Sequence, residues 1–155
     1  MPSANPITHS HSREILLVED SVKDVFLIRE AFRESGFKHG LQVAKDGSMA
    51  LQMLRHEPPY EGLPVPDLVL LDINMPVMGG IEVLEQIKLD SALKMLPVVM
   101  LTTSQADSDV RACYQRHANG YLVKPADYNQ FVDLMQATLH YWLDLTVHPP
   151  GGAMA

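Results

Sequence analysis

The sequence predicts an α/β fold, a doubly wound five-stranded parallel sheet with strand order 2-1-3-4-5. Two observations predict it. Short apolar runs alternate with helix-spaced apolar residues along the whole chain, and the runs end abruptly on polar side chains. Four of the runs lie in EILLVED, PDLVLLDINMP, LPVVMLTT and NGYLVKP, and LQVAKDG supplies a weaker fifth. Right-handed crossovers limit how such units wind, and the order 2-1-3-4-5 puts the switch point between strands one and three.

Taken in order, Ile15 to Val18 form the first strand. Val22, Val25, Phe26, Ile28, Phe32 and Phe37 follow at the spacing of an amphipathic helix that closes near Gly36. After LQVAKDG, the residues Met49, Ala50, Met53 and Leu54 mark a second helix, and RHEPPYEGLPVP, rich in proline, reads as a long surface connection. Val65 to Leu71 is near-continuously apolar, interrupted only by Pro66 and Asp67, as suits a central strand covered on both faces. Ile81, Val83, Leu84 and Ile87 give the third helix, Val98 to Leu101 the fourth strand, and Val110, Cys113 and Tyr114 a less apolar fourth helix. Tyr121 to Val123 is the last strand, before a final helix from about Asp127 to Leu145.

The chain has 155 residues, enough for one domain with a substantial core. Twelve Lys and Arg against 19 Asp and Glu leave a formal charge of −7, which argues against a nucleic-acid footprint. A single cysteine, Cys113, excludes an intramolecular disulfide and suits a reducing, cytoplasmic setting. No apolar stretch reaches the roughly 20 residues needed to span a bilayer. The N-terminal MPSANPITHSHSR lacks the apolar core of a signal peptide and reads as a polar arm, whose His9 and His11 form at most a weak metal site. His39, His56, His117, His140 and His148 show no ligand spacing, and Cys113 reads as a small buried apolar residue.

The strand ends carry the chemistry. Glu19 and Asp20, Asp72, Thr102 and Lys124 each stand where an apolar run stops, and the crevice beyond the carboxyl ends of parallel strands is where such sheets place ligands. Taken singly, each has a structural explanation: acids favour helix N-termini, Asp72 precedes a turn at Asn74 and Pro76, Thr102 suits a strand end, and Lys124 suits a solvated loop. Taken together they form a pocket of three carboxylates, a hydroxyl and an ammonium. Two carboxylates 4 Å apart repel by about 4 kcal/mol at an effective dielectric of about 20, so three require protons or a cation. A hard divalent ion such as Mg²⁺ prefers such oxygens and commonly bridges them to a phosphoryl group. With Thr102 and Lys124 as donors to phosphoryl oxygens, Asp72 can serve as a nucleophile towards phosphorus.

In order and context, VED, LVLLDINMP, MLTTS and YLVKP resemble the receiver domain of two-component response regulators, whose fold is flavodoxin-like. The resemblance spans roughly residues 13 to 145. It implies phosphorylation of Asp72 by a histidine kinase, with Asp20 and Asp72 binding Mg²⁺ directly, Glu19 helping through water, and the backbone carbonyl of Asn74 completing the protein ligands. It also implies Thr102 as the switch hydroxyl, Tyr121 as the switch aromatic, and a cis peptide before Pro125. On this reading residues 1–12 are a flexible arm, 13–146 the receiver domain and 147–155 a tail. Gly79 departs from the family, which often has an acid there; its loss loosens the start of the third helix. Asn74 and Ser104, at positions that tune dephosphorylation, are small and polar, so an acyl phosphate of limited lifetime is expected.

The proline-bearing loop, TTS, RHANGYLVKP and the Trp142-Leu143 ending resemble the single-domain regulators that partner phytochrome histidine kinases. With only TVHPPGGAMA after Leu145, a stand-alone regulator is expected, acting through a changed surface rather than as an enzyme on other substrates. Two apolar stripes mark the final helix: Phe131, Leu134, Thr138, Tyr141 and Leu145, and Tyr128, Val132, Met135, Leu139 and Trp142. They suit either one broad core face or a homodimer built from the fourth helix, fifth strand and fifth helix, and the dimer is preferred. The rival readings are a phosphorelay shuttle, an aspartyl-nucleophile phosphatase and a flavin-binding electron carrier. The phosphatase needs a second Asp where Asn74 stands, and the flavin carrier needs a small-residue phosphate cradle where VEDSVKD stands.

Overall fold

The computed structural model describes residues 13–36, 38 and 40–150; His9, His11, Phe37 and His39 lie outside the described residues. Five parallel strands, β1 (Glu14–Val18), β2 (Gly40–Ala44), β3 (Leu68–Leu71), β4 (Val98–Thr102) and β5 (Gly120–Val123), form one sheet in the order β2-β1-β3-β4-β5. The crossovers are α1 (Val22–Glu34), α2 (Gly47–Leu54), α3 (Gly80–Leu89) and α4 (Asp107–Gln115), and α5 (Tyr128–Leu139) follows the last strand. This is the doubly wound order expected from the alternation of runs.

The sheet separates two apolar layers, because side chains alternate across a strand. Leu16, Val18, Val69, Leu71, Val98 and Met100 face α2, α3 and α4, with Tyr121 packed at the margin. Ile15, Leu17, Leu68, Leu70, Val99 and Leu101 face α1 and α5, with Leu122 at the margin. β1, β3 and β4 are buried on both faces, which is why they read as unbroken apolar runs.

Caps follow from local chemistry. Ser21 Oγ accepts from Asp24 N–H at 3.2 Å, Asp46 from Met49 N–H at 2.8 Å and Asp127 from Gln130 N–H at 2.9 Å. Gly79 stands at the N-cap of α3 with no side-chain cap. Cys113 is fully buried, and burial pushes its thiol up to about 11, consistent with an inert packing residue.

Three elements differ from their sequence-based expectation. β3 begins at Leu68 rather than Val65, because Pro66 lacks an N–H and the Asp67 carboxylate takes the N–H of Glu14 at 2.8 Å. On α1, Val22 and Phe26 are exposed at 84% and 60%, and the core face is Ile28, Ala31 and Phe32. The final helix ends as an α-helix at Leu139 and continues as a π-helical turn, His140–Leu145. Thr146 N–H bonding five residues back to Tyr141 O at 3.1 Å shows the widened turn, which brings Leu143 into the core and leaves Tyr141 and Leu145 exposed. The peptide before Pro125 is not cis; among the described residues the cis bond is Pro58-Pro59. The X-Pro trans preference is only about 0.5–1 kcal/mol, so sequence does not settle the isomer.

Downstream of this turn the chain folds back. His148 reaches Asp67 (Nδ1 to Oδ1, 3.5 Å) and the carbonyl of Trp142 (Nε2 to O, 2.5 Å), beside Arg13, whose Nη1 lies 3.6 Å from the same Asp67 oxygen. No described helix is long and apolar enough to cross a membrane.

Candidate phosphoacceptor site

Parallel register delivers the polar residues to one end of the sheet. Val18 pairs with Leu71, so Glu19 and Asp72 follow side by side, and Thr102 pairs with Val123, so Lys124 follows directly. Backbone bonds hold these ends: Glu19 N–H to Ala44 O at 3.0 Å, Asp72 N–H to Val18 O at 3.1 Å, and Lys124 N–H to Thr102 O at 2.8 Å. Carboxylate oxygens of Glu19, Asp20 and Asp72 lie within 4.8 Å of one another. Glu19 and Asp72 are buried and Asp20 is exposed, so the cluster opens to solvent on one side.

Lys124 is the cation of the site. Its Nζ lies 2.5 Å from Glu19 Oε1, 2.8 Å from Asp24 Oδ2 and 3.5 Å from Asp72 Oδ2, with the side chain only 6% exposed. Burial acts to lower the pKa of Lys124, but its bonds to Asp24 and Glu19, with the charges of Glu19 and Asp72, outweigh burial and raise it. At Glu19 the balance reverses: burial pushes the carboxyl up to about 7, against the lowering effect of Lys124 and the Ser21 N–H. The lysine gathers several acids, whereas Glu19 has one cation and a repelling neighbour in Asp72.

Among the described residues one ammonium thus contacts Glu19, Asp24 and Asp72, while Asp20 adds a fourth carboxylate to the cluster. The excess negative charge and the all-oxygen donor set fit a hard divalent cation. An ionised Glu19 would favour a cation in this cluster, so protons would compete with it. Affinity for a divalent cation is expected to rise by up to about tenfold per pH unit between roughly pH 5.5 and 7, then level off, as calorimetric titration across that range will show. Without metal, the sign for stability is opposite. A carboxyl raised from 4.5 to about 7 makes a contribution that is present below the lower value and lost as pH rises through the upper one.

Asn74 is exposed in the loop after β3, and its N–H is 3.5 Å from Asp72 Oδ1. That loop is tight: a Cβ on Gly80 would overlap the carbonyl oxygen of Asp72, and Gly80 N–H bonds Ile73 O at 2.9 Å. Gly80→Ala is therefore expected to cost about 1–3 kcal/mol in urea unfolding and to weaken cation binding by shifting the Asp72 backbone. Thr102 is fully buried, its Oγ1 accepting from Ser104 N–H at 3.4 Å. Tyr121 OH donates to Ser104 O at 3.0 Å, so one short segment touches both Thr102 and Tyr121. Ser104 Oγ is in turn bonded to Asp109 at 2.6 Å. Asp24 escaped sequence reasoning, since its only signal was the Ser21-to-Asp24 capping spacing.

Comparison with known proteins decides the family. Residues 15–136 match the family model described as the response regulator receiver domain. The chain belongs to the response regulator receiver family. This receiver is 41% identical to response regulator Rcp1 of Synechocystis sp. over 135 residues, covering 87% of this chain and 92% of Rcp1. It is 42% identical over 130 residues to the probable methanogenesis regulatory protein FilR2 of Methanothrix harundinacea, covering 83% of each. Among solved structures, the phosphorylated cyanobacterial phytochrome response regulator RcpA superposes with a TM-score of 0.86 at 38% identity, covering 90% of this chain and 99% of RcpA. The Mn²⁺-bound form of Rcp1 superposes with a TM-score of 0.83 at 40% identity, covering 88% and 99%. The receiver is thus a signalling protein of two-component systems, with an acidic cluster of the kind that suits a divalent metal.

Proposed function

We propose that this receiver accepts a phosphoryl group on Asp72 from a phytochrome-type histidine kinase, in the cytoplasm and with Mg²⁺ as the working cation. The observation that carries the reading is the convergence of Glu19, Asp20, Asp72 and Lys124 at one end of the sheet. Asp20, Asp72 and the Asn74 carbonyl would hold the ion, with Glu19 acting through water. The ion supplies charge neutralisation for the transferring phosphoryl group. An Asp72 oxygen attacks phosphorus as the bond to the donor nitrogen breaks, leaving an acyl phosphate. Lys124 neutralises one phosphoryl oxygen and Thr102 donates to another. Exposed Val22, Phe26 and Val77 lie on the segments that follow Asp20 and Asp72, and they offer apolar purchase for the donor protein. Asn74 and Ser104, both small, leave access for hydrolytic water, so the acyl phosphate is short-lived and the receiver assists only its own phosphorylation and dephosphorylation.

The phytochrome assignment leans on RcpA, and the red-light regulator RPA3017 of R. palustris adds to it at 27% identity and a TM-score of 0.85. The output is a surface change read by a partner protein, and we place a homodimer interface on α4, β5 and α5, where Tyr114, Val123, Tyr141 and Leu145 stay exposed on or just beyond these elements.

The test is incubation of the receiver with acetyl phosphate and Mg²⁺, then mass mapping. Label on the peptide containing Asp72, lost with chelator, is expected; label elsewhere or none overturns the reading. Transfer from a red-light-sensing kinase, faster than from unrelated kinases, tests the partner. Sedimentation as a monomer at all concentrations, with and without beryllofluoride, would remove the dimer.

A further inference from the structure

Resting on the reading of Asp72 as acceptor, we propose that Asp24 is a positioning residue that holds Lys124 back from Asp72 and must release it when the phosphoryl group arrives. An ammonium has three N–H groups. Glu19 at 2.5 Å and Asp24 at 2.8 Å are both at hydrogen-bonding distance, whereas Asp72 at 3.5 Å is at ion-pair distance only. The acceptor is therefore the most weakly engaged of the three.

The placement of Asp24 is built into the fold. Ser21 caps α1 by accepting from Asp24 N–H at 3.2 Å, which sets the first turn of the helix, and from that turn the carboxylate reaches Lys124 at the end of β5. Its partner lies 100 residues away in the chain, so the contact joins elements that sequence proximity does not.

Exposure decides which partner lets go. The Glu19 side chain is 1% exposed and that of Asp24 is 28% exposed. A carboxylate stripped of its cation is far cheaper to leave in water than in a buried cavity. A phosphoryl group on Asp72 adds about 1.5 to 2 negative charges and three acceptor oxygens, which compete for the ammonium. Lys124 thus exchanges Asp24 for a phosphoryl oxygen while keeping Glu19, and Asp24 is hydrated as it leaves. An Asp in the first turn also favours the helix dipole, a purely structural role that would be blind to what Lys124 does.

The experiment measures beryllofluoride binding by calorimetry at saturating Mg²⁺. Asp24→Asn is expected to bind about fivefold tighter than wild type, since a part-exposed ion pair no longer has to be broken. Asp24→Glu should return towards wild type, because it keeps a carboxylate at that place. In a Lys124→Gln background, whose neutral amide still donates to the mimic, Asp24→Asn should change affinity by less than about twofold. An unchanged or weaker affinity in Asp24→Asn overturns the proposal. So does the same gain with Lys124→Gln, which would mean simple repulsion of the anion. If Asp24→Asn does not fold, Asp24→Ser carries the same comparison. Failure of the wild type to bind beryllofluoride rejects Asp72 as acceptor, a result distinct from equal affinities in wild type and Asp24→Asn.

Discussion

In Asp72→Asn, labelling by a small phosphodonor is expected to fall by at least about 10³-fold, because an amide oxygen is a poor nucleophile and Glu19, the acid beside it in register, is buried and bound to Lys124. The same variant separates chemistry from folding. Asp72 is buried, faces Glu19 and Asp20 within 4.8 Å, and among the described residues has its one cation contact at 3.5 Å. Removing its charge relieves two repulsions and a desolvation cost while losing one long attraction. Thermal unfolding in chelator should therefore show the variant about 1 kcal/mol more stable than wild type. Divalent-cation affinity should fall about tenfold or more, since one of the three clustered carboxylates has gone. A variant that is less stable without metal would contradict the account of a strained acidic cluster.

Lys124→Met is expected to have the opposite profile. Lys124 neutralises a buried Glu19 and touches Asp24 and Asp72, so its loss leaves three carboxylates without their ammonium. Breaking a buried pair by removing one partner costs about 3–5 kcal/mol, and about 3 is expected here because Glu19 can escape by taking a proton. Without the lysine the Glu19 carboxyl rises further above about 7, so the loss should be full above about pH 8 and smaller near pH 5.5. Divalent cations should bind about tenfold tighter, filling the place of the missing charge, and should recover much of the stability. Urea unfolding at the two pH values, with and without Mg²⁺, reads all of this. Acceptance of phosphate should nonetheless be poor, because a divalent ion at the carboxylates does not supply the donor that Lys124 provides.

The sheet was legible because its central strands are covered on both faces, which forces unbroken apolar runs that stop where burial stops. The meeting of Glu19, Asp20, Asp72 and Lys124 follows from that, since parallel strands bring like ends together. Helices were less legible. Val22 and Phe26 keep perfect helical spacing with the core residues and still face water, because spacing fixes a stripe but not which way it points. The π-turn at His140–Leu145 rotates the stripe that the heptad steps describe, so Leu143 replaces Tyr141 and Leu145 inside. Contacts between remote polar residues left almost no trace. Asp24 with Lys124, and His148 with Asp67, depend on where two loops end in space and not on any local pattern.

Tyr121 and Leu122 are neighbours in β5, yet they belong to opposite layers of the molecule, one with the α2, α3 and α4 side and the other with the α1 and α5 side. β5 is also an edge strand, held in the sheet by β4 alone. In mechanical terms it is a rocker: a small roll that draws Tyr121 inward lifts Leu122 outward. A roll of β5 set off at Thr102 and Ser104 would therefore reach both faces at once and with opposite sense. A partner that grips only one layer, and a second copy that spans both, would feel the same event differently.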